Sequence, residues 1–291
     1  MSLRLGIDTG GTFTDAVLVD DNKTIIAAEK SLTTRFDLVI GIGEVIAKLP
    51  PEKLKQISMV SLSTTLTTNS VVEDLGAPVC VLLPGYNDAQ VTQSGLLDIL
   101  PAQFIVILDG GYDAMGMEQQ PLDEEAARTA ILKLQHQVSA FAISSLFGTR
   151  NSSHEVRLKS LVTELTEMPV ICGNELASSL GAPRRALTAA LNARMVPPIK
   201  ELIGSVLKVM DQHNINAPLM IVKGDGSLAS LDNAIEKPIG TVLSGPAASV
   251  IGACQLSGLQ NAIVADMGGT TTDIAIVTNG QPELCEDGAM I

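Results

Sequence analysis

One stretch occurs twice, and it limits the folds open to the chain more than any other feature. Residues 7–19 read IDTGGTFTDAVLV, and residues 265–277 read ADMGGTTTDIAIV. Each copy is an apolar run, an Asp-x-Gly-Gly-Thr-x-Thr-Asp segment and a second apolar run. The apolar runs have the composition of strands. The glycine pair makes the tight turn between them, because glycine takes positive φ at little cost. Consecutive amides in such a turn form a concavity that binds anions. Gly10, Gly11, Thr12 and Thr14 are the first candidate phosphate-binding set, and Gly268, Gly269 and Thr270 are the second. Asp8 and Asp266 end their strands beside these turns. A carboxylate there repels a bare phosphate. With Mg²⁺ between them the arrangement is favourable, since Mg²⁺ takes a few carboxylates, phosphate oxygens and retained waters. Asp8 and Asp266 are therefore the candidate metal ligands.

The chain has 291 residues, enough for two domains, and a formal charge of −13 with no basic run. That balance argues against nucleic acid or an anionic membrane as partner. Aromatic residues make up 2%, with no Trp, so base-stacking platforms are not expected. Cys80, Cys172, Cys254 and Cys285 are widely spaced, as expected of reduced thiols in a cytoplasmic protein. No leader is read at the start and no apolar run of membrane-spanning length is expected.

Taken in order, residues 3–8, 13–20 and 23–30 read as strands, Phe36–Leu49 as a helix and Ile57–Ser63 as a strand. A helix over Thr64–Leu75 and a strand over Pro78–Leu83 complete a βββαβαβ half of ribonuclease-H type. Between strand and helix lies a hydroxyl cluster holding Thr64, Thr65 and Asn69, candidates for contact with substrate or phosphate. Helices are expected over Asp123–His136 and from Asn151 or Ser152 to Glu167. The second places His154 and Glu155 in its first turn, as acid–base candidates. Leu187–Met210 is helical in pattern, with Pro197-Pro198 implying a kink or break. Ser244 reads as the N-cap of an apolar helix, and with Gly245 lets a ligand come close. A domain boundary is expected near Ala182, giving 1–182 and 183–291.

The chain resembles the hydantoinase A / 5-oxoprolinase family, within the superfamily of acetate and sugar kinases, heat-shock chaperones and actin. The resemblance rests on GIDTGGTFTD (6–15), STTLTTNSVVE (63–73), NSSHE (151–155), GDGSL (224–228), LSGPAASVIGA (243–253) and DMGGTTTDIAIV (266–277). Ser152 stands where the family usually has Pro. The resemblance implies an α/β fold of two ribonuclease-H-like domains with ATP and Mg²⁺ in the cleft. It adds Thr271 to the second phosphate motif. It further implies ATP-driven opening of a cyclic amide such as a hydantoin or 5-oxoproline, or carboxylation, with a hydantoinase-B-like subunit as partner. The chemistry suits the residues: phosphorylating a lactam oxygen makes it a leaving group, and phosphoryl transfer is mostly positioning and charge neutralisation. Family members are longer, so the second domain is expected to be incomplete here. The rival expectations are a small-molecule kinase of the same superfamily and a non-catalytic nucleotide-binding module; a homo-oligomer fits all three.

Overall fold

The computed structural model describes residues 2–34, 36–65, 76–176, 181–267 and 272–283. By contacts the chain forms two compact units: Met1–Glu73 with Ile199–Ile291, and Asp74–Pro198. The first unit therefore closes on itself around an insertion, whereas the division read from the sequence near Ala182 follows the chain.

The first unit is built on a six-stranded sheet. Strands β1 (Leu3–Thr9), β2 (Phe13–Asp20) and β3 (Ile25–Leu32) form an antiparallel meander, and β4 (Ile57–Thr64) lies parallel to β1. The alternation of β1 and β2 sends Leu3, Leu5, Ile7, Ala16 and Leu18 to one face, where all are buried. Helix Leu38–Ala47 covers them with Leu38, Ile42, Val45 and Ile46, joined by Ile199, Leu202 and Val206. Asp37 caps this helix by accepting from the Val39 N–H.

The strand expected to complete the half at Pro78–Leu83 belongs elsewhere. As β5 (Val79–Pro84) it sits in the second unit. The partner of β4 is β11 (Leu219–Val222), which pairs parallel with Ile221 opposite Leu62 and carries the short β12 (Leu228–Ala229) on its outer edge. The burial of β5 explains the difference. All six of its residues are buried, which suits a central strand of a parallel sheet covered on both faces. The second unit supplies that sheet, in the order β10 (Val170–Cys172), β9 (Ala140–Ile143), β5, β6 (Ile105–Leu108), all parallel. Helices Glu124–Leu134 and Ser153–Leu165 pack onto it through Ala127, Ile131, Leu158 and Leu161.

Helix Ala182–Gln212 runs unbroken through Pro197 and Pro198, where a kink or break was expected. Proline 198 cannot donate to the carbonyl of Arg194. That carbonyl accepts instead from the Ala77 N–H at 3.2 Å, so the missing bond is replaced. The second motif forms a hairpin of β13 (Ala262–Met267) and β14 (Thr272–Thr278), assigned with the first unit.

The stretch Pro238–Ser257 is long and apolar enough by composition to cross a membrane, contrary to the expectation that no such run exists. Its fold is different. A 3-10 turn, Pro238–Thr241, is followed by the 14-residue helix Ser244–Ser257, about 21 Å long against a bilayer core of about 30 Å.

Candidate functional site

Parallel pairing sets the site. The carboxyl ends of β1, β4 and β11 lie side by side, because Asp8 pairs with Ser63, Thr9 with Thr64, and Ile221 with Leu62. Ligands of α/β sheets bind at this edge. Asp8 lies on the sheet face opposite the apolar core, in a polar row across four strands: Ser63, Asp8, Asp15 and Lys30. The Ser63 hydroxyl donates to Asp8 Oδ1 at 2.7 Å. Lys30 Nζ lies 3.2 Å from Asp15 Oδ1 and 4.9 Å from the centre of the Phe13 ring.

The two hairpins repeat one another in register. Asp8 pairs with Asp15, and Asp266 pairs with Asp273. The acids are also within electrostatic reach. Burial raises the Asp8 carboxyl above the usual value, and the charges of Asp15 and Asp266 raise it further. The Ser63 hydrogen bond and Lys30 oppose the shift without cancelling it. Asp8 thus sits where added positive charge is favoured. The donor set fits Mg²⁺, which needs only one or two carboxylates beside phosphate oxygens. No group of three His, Cys, Asp or Glu suited to a metal occurs among the described residues.

The other candidates divide into two groups. Gly10, Gly11, Thr12 and Thr65 retain exposure at the edge, with Thr12 the most open. At Gly10 a Cβ would stand 3.0 Å from the Phe13 carbonyl, a tight fit, and neither Gly10 nor Gly11 takes the positive φ expected of this turn. Thr14, Thr64 and Ser244 are buried, with hydroxyls already engaged. Thr14 Oγ1 bonds Thr33 Oγ1 at 2.9 Å, and Thr64 Oγ1 donates to the Thr9 carbonyl at 3.0 Å. Ser244 is not the expected N-cap. Leu243 holds that position at φ 62°, with no side-chain cap. The Ser244 hydroxyl instead accepts from the Thr64 N–H at 3.2 Å and donates to the Thr64 carbonyl at 3.0 Å. This ties the start of helix Ser244–Ser257 to the end of β4. Gly245 follows; a Cβ there would lie 3.2 Å from Thr65 Cγ2 and 3.6 Å from Asp8 Oδ1. The positive end of that helix dipole therefore opens beside Asp8 and Thr65. Asn69, Gly268, Gly269, Thr270 and Thr271 lie outside the described residues.

His154 and Glu155, read from the sequence as acid–base candidates, belong to the second unit and are buried. Glu155 accepts from the Ser145 N–H at 2.8 Å and the Asn174 N–H at 2.9 Å, one carboxylate oxygen for each. Burial raises its carboxyl above the usual value. His154 Nδ1 accepts from the Gly111 N–H at 3.3 Å, and Nε2 lies 2.8 Å from Glu118 Oε1. These contacts make both residues clasps between the helix start and the strand-end loops. Sequence reading missed the Ser63 bond to Asp8 and the Asp15–Lys30 pair. Asp15 carried a signal, being the last residue of the repeated motif.

Comparison with known proteins settles the family. The hydantoinase/oxoprolinase N-terminal region matches residues 4–166, and the hydantoinase/oxoprolinase domain matches residues 185–290. The chain belongs to the hydantoinase/oxoprolinase family. It is 28% identical to caprolactamase subunit alpha of Pseudomonas jessenii, over 98% of this chain and 44% of that one. It is 26% identical to the acetophenone carboxylase gamma subunit of Aromatoleum aromaticum, over 94% of this chain and 42% of that one. The nucleotide-free structure of acetone carboxylase superposes with a TM-score of 0.81 at 22% identity, over 99% of this chain and 45% of that one. That likeness shows the fold, an α/β architecture. The chain spans less than half the length of these relatives.

Proposed function

We propose that the chain is the nucleotide-binding part of an ATP-dependent enzyme that opens a cyclic amide. The observation that carries this reading is the pair of register-matched hairpins, in which Asp8 pairs with Asp15 as Asp266 pairs with Asp273. The naming of one relative as a caprolactamase subunit supports it. Asp8 and Asp266 would hold Mg²⁺, which neutralises phosphate charge as the γ-phosphoryl group transfers. Gly10, Gly11 and Thr12 supply donors to the phosphate chain, and the start of helix Ser244–Ser257 faces the same edge with its dipole.

The reaction balances simply. The terminal P–O bond of ATP breaks, ADP leaves, and the ring carbonyl oxygen takes the phosphoryl group. Water adds to the activated carbon, the C–N bond breaks with nitrogen leaving as an amine, and a second water releases phosphate from the acyl phosphate. The relatives named as subunits support a second polypeptide as partner, of hydantoinase-B type. The two carboxylase relatives favour a second reading, in which the phosphorylated oxygen activates a substrate for carboxylation. The test is Mg²⁺-dependent ADP release by the full complex with a panel of lactams and hydantoins, products being identified by mass. Ring-opened amino acid supports the first reading and a carboxylated product the second. Stable phosphorylated substrate would make the enzyme a kinase, and no ADP release with any ring would refute ring opening.

A further inference from the structure

We infer that Ser63 is a positioning residue of this edge: its hydroxyl pins one oxygen of Asp8 and so aims the other at the cation. The inference rests on the proposed reading of Asp8 as a Mg²⁺-holding acid, and it adds a residue from outside the repeated motif. Ser63 lies on β4, level with Asp8 across the parallel ladder and on the same sheet face. It is 4% exposed, whereas Asp8 is half-buried. The hydroxyl donates to Asp8 Oδ1 over 2.7 Å.

The other serines of β4 show that this contact is selective. Ser58 donates to the Leu3 carbonyl at 3.1 Å, and Ser61 to the Leu5 carbonyl at 3.5 Å. Ser63 has the same choice, with the Ile7 carbonyl 3.5 Å from its Oγ. A hydroxyl has one proton to give. At Ser63 the carboxylate takes it. A bond to an ionised acceptor is shorter and about twice as strong as one to a carbonyl, and 3.5 Å is long for an O–H donor. The hydroxyl of Ser63 thus serves Asp8, where those of Ser58 and Ser61 serve the neighbouring backbone.

A second element lies against the same oxygen. Gly245, the second residue of helix Ser244–Ser257, would bring a Cβ to 3.6 Å from Asp8 Oδ1. That helix start is itself fixed to the residue after Ser63, since the Ser244 hydroxyl bridges the N–H and carbonyl of Thr64. Two adjacent residues at the end of β4 therefore set both neighbours of Oδ1. Oδ2 accepts no hydrogen bond from a described residue. A carboxylate turns about its Cβ–Cγ bond with only a broad, two-fold preference, so without a pin its oxygens exchange roles. With Oδ1 held by Ser63 beside the helix start, Oδ2 is the oxygen presented to a cation. Groups that touch a ligating side chain and not the metal carry about 10–100-fold of metal affinity in known sites.

The experiment is calorimetric titration of the full chain, once with Mg²⁺ at saturating ATP and once with ATP in EDTA, for wild type, S63A, S63T and S61A. S63A should weaken Mg²⁺ binding about tenfold and leave metal-free ATP binding within about twofold of wild type. The metal-free titration also reports that the variant is folded. S63T keeps the hydroxyl and should retain most of the Mg²⁺ affinity. Ser61 lies on the same face of β4 and bonds the Leu5 carbonyl, so S61A should match wild type in both titrations. A merely structural serine would not split the two titrations, and S61A would share any loss. Mg²⁺ affinity unchanged in S63A, or lowered as much in S61A, would overturn the inference. No Mg²⁺-dependent ATP binding by the wild type would sink it together with the nucleotide reading. ADP release separates it from the chemistry. Ring-stimulated release whose Mg²⁺ dependence S63A leaves unchanged would sink the role of Ser63 alone, and Ser63-dependent Mg²⁺ binding without any ring opened by the full complex would sink the proposed reaction alone.

Discussion

Replacing Asp8 by Asn should make the protein more stable and inactive at once. Asp8 is half-buried and is paired with Asp15 across the hairpin, two carboxylates side by side on one sheet face. Burial raises its carboxyl most, and Asp15 and Asp266 add to the effect. Like charges about 6 Å apart at an effective dielectric near 20 repel by about 3 kcal/mol, and by about 0.7 kcal/mol in water. With Lys30 offsetting part of this, D8N should gain about 1–2 kcal/mol, or about 2–6 °C in Tm. The asparagine Oδ1 still accepts from Ser63, so the local geometry survives. The pH dependence has a definite sign. A folded-state value above the unfolded 3.8 means the folded state holds its proton more tightly, so stability falls as pH rises from 3.8 through the folded value. That slope should vanish in D8N, and its advantage over wild type should grow from pH 4 to neutrality. Added Mg-ATP at 100 times its Kd should stabilise wild type by about 2.7 kcal/mol and D8N far less. The assay is thermal denaturation of both proteins across pH 4–8, with and without Mg-ATP. A lower Tm for D8N at pH 7, or equal Mg-ATP stabilisation of both, would refute the reasoning.

Three further outcomes are expected. Ser244→Ala removes the hydroxyl that bridges the Thr64 N–H and carbonyl, and should lower stability by about 1–3 kcal/mol in urea denaturation; an unchanged midpoint would show that the helix start is not held there. Gly148→Ala would drive a Cβ into Glu155 Oε1, in a carboxylate that two backbone amides fix through one oxygen each, so stability should fall by about 1–3 kcal/mol while ADP release per folded molecule persists. Burial pushes the Cys80 thiol up to about 12 and the Cys172 thiol upward as well. Both should resist iodoacetamide at pH 8 in the native protein and react after unfolding, as peptide mass mapping would show.

Local pattern made much of this readable from the chain. The meander at 3–32 follows from alternating apolar residues and two tight turns, and helix Leu38–Ala47 follows from its spacing and the prolines after it. The second hairpin was equally plain. Sheet membership was not. The order of strands places β5 after β4, yet β11 is the neighbour of β4, more than 150 residues along the chain. Periodicity reports which face of a strand is apolar and is silent about which strand lies beside it.

The candidate site divides along the same line. The repeat identified Asp8, Asp266 and the glycine turns, because their chemistry depends on residue type and close spacing. Hydroxyl assignments needed tertiary structure: Thr14, Thr64 and Ser244 look like donors to a ligand, but Thr33, Thr9 and the Thr64 backbone take them. The second hairpin makes the point from the other side. Ile263 pairs with Ile276 as Leu5 pairs with Leu18, yet the first two are exposed and the last two buried. Sequence determined that each hairpin forms and in what register, since neighbouring residues alone decide that. Tertiary structure decided which face of each hairpin gained a helical cover, Leu5 and Leu18 in the first and Val264, Ala275 and Val277 in the second, and which hydroxyls stayed open, because burial depends on what packs above a strand.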